Sequence, residues 1–218
     1  MNMKRNKCVC GKTKDPNGNC DGSHANTSRI INYLVFTIAF LFSSFSIASS
    51  ISNDKEVNVK SSNVFWKGEK VTGSHEGNIS LKSGVLKFDD KKLIGGNIVI
   101  NMNTIDCTDL SGEYKSKLEG HLKSNDFFGV EKFPEAILKI TKVKSKGKSK
   151  YACTADLTIK GITKEIKFEA ELGKGNATTN IVIDRTNFNI KYASGSFFKE
   201  LGDKMIYDEF EISVSLKY

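Results

Sequence analysis

The sequence predicts an all-β domain after residue 50, folded as an antiparallel barrel or sandwich. Apolar and polar residues alternate with a period of two, which is typical of strands with one buried and one exposed face. Five segments show this alternation: 98–102, 136–140, 157–159, 162–172 and 210–217. Turns are expected at four places that contain glycine: 82–84, 95–96, 146–147 and 174–176. Repeated strands separated by such turns favour an antiparallel β architecture.

One segment departs from the strand pattern. In Asp109–Ser124 the apolar residues recur every four positions, which predicts a short amphipathic helix. These residues are Leu110, Tyr114, Leu118 and Leu122. Asp109 or Ser111 is the expected N-cap. A helix in one connection suggests a barrel with a plug or a lid.

The composition is that of a globular protein, with 39% hydrophobic and 27% charged residues among 218. Lysine and arginine total 33 against 25 acidic residues, which gives a formal net charge of +8. Residues 1–48 hold six basic and two acidic residues, so half of the excess lies in a short N-terminal piece. The rest of the chain is nearly balanced and has no aromatic platform beside its basic residues. We therefore exclude nucleic acid as a partner.

Residues 29–50 have the features of a secretory signal or a membrane anchor. No charged residue occurs from Ile30 to Asn53, Tyr33–Phe42 is almost purely apolar, and small residues follow. Cleavage is expected near Ala48, and retention as an anchor is the alternative. A buried core helix is disfavoured because nothing around the segment is periodic. The sequence thus predicts that residues 51–218 are exported, either periplasmic or anchored to the inner membrane outside the cytoplasm.

Residues 1–28 form a cysteine-rich leader. Three cysteines and one histidine lie within 17 residues of a polar stretch, and such residues bind iron–sulfur clusters or zinc. The segment Cys20–His24 reads CDGSH and resembles the CDGSH iron–sulfur family. The resemblance implies a 2Fe–2S cluster held by Cys8, Cys10, Cys20 and His24. The Pro16–Cys20 gap is longer than usual and the flanking strands are missing, so zinc or no metal remain alternatives.

Residues 60–218 resemble the YceI-like family. Seven stretches in family order carry the resemblance: 65–68 (FWKG), 75–77 (HEG), 118–124 (LEGHLKS), 126–128 (DFF), 133–134 (FP), 156–163 (DLTIKGIT) and 184–188 (DRTNF). The family implies a lipocalin-like, eight-stranded antiparallel barrel, often periplasmic. It also implies a long tunnel that binds isoprenoid quinones or prenyl phosphates. Gly129 and Asn189 depart from the usual family residues.

The candidate ligand-binding residues are apolar and aromatic, as an isoprenoid tunnel requires. They are Trp66, Phe88, Ile98, Ile100, Met102, Phe127, Phe128, Leu138, Ile140, Ile166, Phe168 and Phe188. Each could instead only fill the core. His75 and Arg185 are the polar candidates, for a head-group hydrogen bond and for pyrophosphate. The alternatives are a turn-anchoring His75, an Asp184–Arg185 ion pair and a surface or hinge position for His121.

The sequence favours a carrier over an enzyme because no catalytic motif is present. The leading hypothesis is an exported protein that sequesters an isoprenoid lipid or quinone. An iron–sulfur redox protein and a stress-response interaction module are the alternatives. The basic run 142–150 indicates a solvated turn or a contact with an anionic membrane surface. Cys107 and Cys153 are either a disulfide or two buried thiols, and the choice between monomer and homodimer stays open.

Overall fold

The computed structural model describes residues 53–218, together with Val9, Pro16 and Asn17. Within these residues the all-β prediction is confirmed, with nine strands and one α-helix. They are β1 (Lys55–Glu56), β2 (Asn63–Lys70), β3 (Gly73–Asp89), β4 (Lys92–Cys107), α1 (Gly112–Lys123), β5 (Glu135–Gly147), β6 (Lys150–Ile159), β7 (Ile162–Leu172), β8 (Asn176–Asp184) and β9 (Ile206–Lys217). Short 3-10 turns occur at Val59–Ser61, Arg185–Phe188 and Gly202–Lys204.

Two predictions from the sequence fall outside the described residues. These are the iron–sulfur ligands Cys8, Cys10, Cys20 and His24, and the apolar segment 29–50. Among the residues that are described, no helix combines the length and the apolar character needed to cross a membrane.

The eight long strands of residues 63–217 close into an antiparallel barrel. Each strand from β4 to β8 pairs with the next one in sequence, β9 pairs with β2, and β2 pairs with β3. The pairing of β3 with β4 then closes the ring. The short β1 pairs with the second half of β3, beyond the part that pairs with β2. The structure therefore selects the barrel over the sandwich.

The period-two pattern places one set of side chains inside the barrel. In β6 the residues Tyr151, Cys153, Ala155, Leu157 and Ile159 are buried, and the residues between them are partly exposed. Successive side chains of a strand point to opposite faces, so this alternation follows from strand geometry. Most of the buried residues of the long strands belong to one apolar core.

Two of the four predicted turns are wrong. Strand β3 runs through 82–84 with a register shift between Leu81 and Ser83, and 95–96 lies inside β4. The glycines are needed there for close approach. A Cβ on Gly96 would lie 2.9 Å from the Val85 carbonyl oxygen, and one on Gly84 would lie 2.9 Å from Ile98. The hairpin turns near 147 and 175 are confirmed.

The predicted helix is confirmed but begins later than Asp109. It spans Gly112–Lys123, and its N-cap Ser111 makes no side-chain cap hydrogen bond. Asp109 accepts a hydrogen bond from the Glu76 backbone N–H instead (3.1 Å). Tyr114, expected on the apolar face, is 76% exposed. The helix follows β4 and lies at one end of the barrel, which we call the helix end.

Both cysteines of the barrel are free thiols. Cys107 at the end of β4 and Cys153 in the middle of β6 are buried and do not pair. The disulfide alternative is therefore wrong for this structure. The two thiols have different surroundings, because Cys107 contacts Asp109 whereas apolar neighbours surround Cys153.

Candidate ligand cavity

The barrel encloses a cavity of about 260 Å³. Side chains from all eight long strands and from α1 line it, and almost all of the lining surface is apolar. A cavity of this kind suits a slender apolar molecule, because ligand sites are mostly apolar with few polar groups. Exposed or partly exposed residues, among them Glu69, Lys70 and Tyr207, border it at the helix end.

Twelve of the fourteen side chains that the sequence nominated as ligand-binding border this cavity. They are Trp66, His75, Ile98, Ile100, Met102, Phe127, Phe128, Leu138, Ile140, Ile166, Phe168 and Arg185. The strand residues share the cavity because each occupies the inward phase of the alternation. Phe127 and Phe128 join them from the segment after α1.

Phe88 and Phe188 lie elsewhere. Phe88 is near the end of β3 remote from α1 and packs against Tyr218, with ring centroids 5.4 Å apart. Phe188 lies in the 3-10 turn after β8 and is 1% exposed in the core. Phe88 keeps the buried phase of Leu86 and fills the core near the end of its strand, whereas Phe188 lies outside any strand, and neither ring borders the cavity.

Trp66 has its polar atom satisfied by the backbone. Its indole Nε1–H donates to the Asn78 carbonyl at 3.2 Å. Buried tryptophan needs such a partner. The ring therefore borders the cavity as an apolar surface. The chain contains a single tryptophan, so Trp66 is also a natural spectroscopic probe of this cavity.

His121 is a polar cavity residue that the sequence interpretation missed. Its ring packs edge-on against Phe127 (5.2 Å between centroids) and Tyr192 (4.4 Å), and it borders the cavity. Its Nε2 is buried and has no hydrogen-bond partner among the described residues. The expectation of a surface or hinge position is wrong. The available signal was the spacing from Leu118, because residues three apart share a helix face.

Arg185 is buried and engaged by the protein. Its Nε donates to the Tyr207 carbonyl (3.0 Å), Nη1 to the Ile190 carbonyl (2.9 Å) and Nη2 to the Ile206 carbonyl (3.0 Å). Nη2 also forms an ion pair with Asp208 at 3.4 Å. Burial lowers the pKa of Arg185, and Asp208 opposes this effect.

The expected Asp184–Arg185 ion pair is wrong. Asp184 caps the 3-10 turn that follows β8, where its carboxylate accepts hydrogen bonds from the Thr186 N–H (2.8 Å) and hydroxyl (2.6 Å). Adjacent residues in an extended segment point in different directions, so Arg185 reaches the start of β9 instead.

His75 borders the cavity and forms a hydrogen bond to the loop after β4. Its Nδ1 lies 2.8 Å from Asp109 Oδ2. Burial alone would raise the pKa of Asp109, but hydrogen bonds from Cys107, the Glu76 N–H and His75 lower it to about 2. His75 thus combines the two alternatives stated for it, because it is anchored and also borders the cavity.

Comparisons with known proteins agree with this architecture. The family model described as YceI-like domain matches residues 55–218. A UPF0312 protein from Vibrio parahaemolyticus is 36% identical over 102 residues, which is 46% of this chain and 52% of that protein. One from Yersinia pestis is 35% identical over 96 residues, 43% of this chain and 46% of that protein. The chain thus matches about half the length of these relatives.

Solved structures share the fold. BcnA from Burkholderia cenocepacia has a TM-score of 0.57 and 21% identity, with coverage of 73% of this chain and 98% of BcnA. A polyisoprenoid-binding domain from Saccharophagus degradans has a TM-score of 0.51 and 10% identity, covering 74% of this chain and 95% of that domain. Each match covers almost all of the solved chain and shows the fold.

Proposed function

Because the chain belongs to the YceI-like family, we propose that its barrel binds an isoprenoid lipid and acts as a carrier rather than an enzyme. The observation that carries the proposal is the cavity inside the barrel, which is lined almost wholly by apolar side chains. The polyisoprenoid-binding domain of similar fold supports the same ligand class.

We propose further that the head group of this lipid is uncharged, as in an isoprenoid quinone. Each nitrogen of Arg185 already donates to a protein oxygen, and Asp208 neutralises its charge. Arg185 therefore has little remaining charge or hydrogen-bonding capacity for a diphosphate. Glu209 also borders the cavity, and its carboxylate would repel an anion. Glu69 is paired with Lys67 at 2.6 Å, and its charge is therefore already balanced. Lys70 is the one lysine among the described lining residues. The unpartnered Nε2 of His121 matches a neutral carbonyl or hydroxyl, which needs one hydrogen bond.

The ligand can be tested with fragment 51–218, which holds the closed barrel. Trp66 borders the cavity, so a bound quinone should quench its fluorescence. We expect saturable quenching by an isoprenoid quinone and much weaker binding of a prenyl diphosphate with the same chain. Ala136→Phe should fill the cavity and abolish quenching, whereas Lys139→Phe on the same strand, an exposed position outside the cavity lining, should leave it unchanged. No binding of either lipid would refute the carrier function.

His121→Phe tests the head-group contact. The variant keeps an aromatic ring against Phe127 and Tyr192 but removes the unpartnered nitrogen. We expect quinone affinity to fall about fivefold to tenfold, the value of one hydrogen bond, while the midpoint of unfolding stays the same or rises. Tighter binding of the diphosphate than of the quinone by the unmodified fragment would overturn the uncharged head group and leave the carrier function intact.

Export of the barrel rests on the sequence alone. The uncharged segment 29–50 and the basic residues before it support export, with the barrel periplasmic or anchored outside the cytoplasm. A membrane is the natural source of an isoprenoid, and the basic run 142–150 supports contact with its anionic surface. Determination of the N-terminal residue of the mature protein distinguishes cleavage from retention.

An iron–sulfur redox function is the second candidate. It rests on the CDGSH segment Cys20–His24 and on the neighbouring Cys8 and Cys10. The full-length protein should then show visible absorbance that His24→Ala removes. A colourless, iron-free full-length protein would exclude the cluster without affecting the lipid proposal.

A further inference from the structure

Three side chains able to bind a metal meet at the helix end of the barrel. His75 belongs to β3, Cys107 ends β4 and Asp109 lies two residues further on. Their ligand atoms all lie within 4.8 Å of one another, and no other group of this kind occurs in the described part of the chain. Asp109 is central, with its Oδ2 2.8 Å from His75 Nδ1 and its Oδ1 3.0 Å from Cys107 Sγ.

The backbone fixes this arrangement. Gly77 of β3 is paired with Cys107 of β4, and a Cβ on Gly77 would lie 1.9 Å from the Asp106 carbonyl oxygen, so only glycine permits this approach. The Thr108 N–H donates to the Glu76 carbonyl at 2.9 Å, which continues the contact beyond β4. Ligands on rigid elements favour binding because little order is lost.

Helix α1 holds Cys107 from the other side. The Cys107 backbone N–H donates to Glu119 Oε1 at 2.9 Å. Lys115 bridges Asp106 (2.7 Å) and Glu119 (3.7 Å), which balances charge around the thiol. The cysteine is 0% exposed, whereas the side chains of His75 and Asp109 are 30% and 28% exposed. An ion can therefore approach from the solvent side of the histidine and the carboxylate.

The donor set is that of a zinc site. Thiolate, imidazole nitrogen and carboxylate oxygen are the ligands that Zn²⁺ takes, and three protein ligands leave a fourth position for water. A thiolate disfavours Mg²⁺ and Ca²⁺, which prefer oxygen. With neutral imidazole, one thiolate and one carboxylate, the charge of the ion is balanced. In this structure His75 and Cys107 each form a hydrogen bond to Asp109, and the protons of these bonds lie where the ion would bind.

We propose that His75, Cys107 and Asp109 form a binding site for zinc at the helix end of the barrel. On binding, Cys107 loses its proton to solvent and its sulfur bonds the ion. The proton on His75 moves from Nδ1 to Nε2, so that Nδ1 can coordinate. The site is separate from the lipid proposal, because its ligands coordinate whether or not the cavity is filled.

Cobalt is the probe for the experiment. Fragment 51–218 lacks the leader cysteines, so its only thiols are Cys107 and Cys153. Titration with Co²⁺ should give thiolate-to-cobalt absorbance in the near ultraviolet at one equivalent, and Zn²⁺ should remove it. Cys107→Ser should abolish the signal, and His75→Gln or Asp109→Asn should weaken binding at least about tenfold.

Cys153→Ser is the matched control. Cys153 is also buried, burial raises the pKa of its thiol to about 11, and it belongs to no group of three metal-binding side chains within residues 53–218. This variant should keep the full cobalt signal. Circular dichroism of each variant shows that it is folded, and His75→Gln provides a second test if Cys107→Ser is not. Absence of the charge-transfer band, or its loss in Cys153→Ser instead of Cys107→Ser, would overturn the proposal. Neither result depends on lipid.

Discussion

Strand β7 has two very different edges. Along one edge, all ten residues of β6 are paired with β7. Along the other edge, only Ala170, Glu171 and Leu172 are paired with β8. The barrel wall is thus continuous on one side of β7 and parts on the other. The strands can therefore form a complete ring although one stretch of the wall around the cavity has no paired strands.

The parted stretch adjoins the cavity. Four residues lie on the unpaired stretch and also line the cavity: Ile166 and Phe168 of β7, and Ile181 and Ile183 of β8. The Glu169 carbonyl accepts a hydrogen bond from the Thr179 hydroxyl (2.6 Å), so it faces β8. Because residues of a strand alternate in direction, the N–H groups of Glu165 and Lys167 face the same way. We expect an isoprenoid chain to enter through this opening.

Proline substitutions at the two edges of β7 should lower the free energy of unfolding by different amounts. Thr154 lies in β6, is paired with Lys142 of β5 beside a register shift, and its carbonyl faces β5, so Thr154→Pro removes a ladder hydrogen bond. The free energy of unfolding should fall by about 3 kcal/mol. Lys167→Pro places the ring at the parted edge and should cost roughly 1 kcal/mol. Urea unfolding of both variants measures the difference, and equal losses would contradict an open edge.

Hydrogen exchange gives the next largest effect. The N–H groups of Glu165 and Lys167 have no partner in the described range, whereas those of Ile166 and Phe168 face the paired strand β6. We expect the first two amides to exchange at least about tenfold faster than the second two. Amide exchange followed by nuclear magnetic resonance resolves the four positions. Uniform protection along β7 would show that the edge is sealed in solution.

A cross-link should sharpen the functional meaning of the opening. Extending the β7–β8 register places Lys167 opposite Val182, which is 57% exposed. Linking Lys167→Cys to Val182→Cys with a short bis-maleimide should slow quinone release several-fold. The control links Lys167→Cys to Thr154→Cys across the paired edge and should leave release unchanged. Equal release rates in the two linked proteins would mean that the ligand leaves by an end of the barrel.

The pH dependence of stability should show the smallest effect. It tests Asp109, which follows β4 and accepts a hydrogen bond from the Glu76 N–H of β3. Asp109 has a pKa of about 2 in the folded protein, below its ordinary value of 3.8. Its contribution to stability is therefore complete above about pH 4 and is lost as the pH falls towards 2. Urea midpoints should fall less in Asp109→Asn than in the unmodified fragment between pH 5 and pH 2.5, with Glu165→Gln at the exposed edge as control. An identical fall of the urea midpoint in Asp109→Asn and in the unmodified fragment would show that Asp109 does not cause this pH dependence.

The strands and the cavity lining were predictable because they depend on local alternation. Residues such as Ile98, Ile100 and Leu138 follow from the rule that alternate side chains share a face. The glycines at 84 and 96 were misinterpreted, because a turn and a close approach of two strands require the same residue. His121 was missed because its aromatic partners, Phe127 and Tyr192, come together only in the folded chain.

The sequence by itself determined that the chain forms antiparallel strands with a common apolar face and a short helix between two of them. Covalent geometry fixes which side chains share a face, so those features are local. Only the tertiary structure decided that the strands close into a ring, that β7 and β8 part, and that Arg185 binds the start of β9. It also brought His75 to Asp109, 34 residues away. Such contacts form between segments that are distant in the sequence, and the local alternation of apolar and polar residues does not predict them.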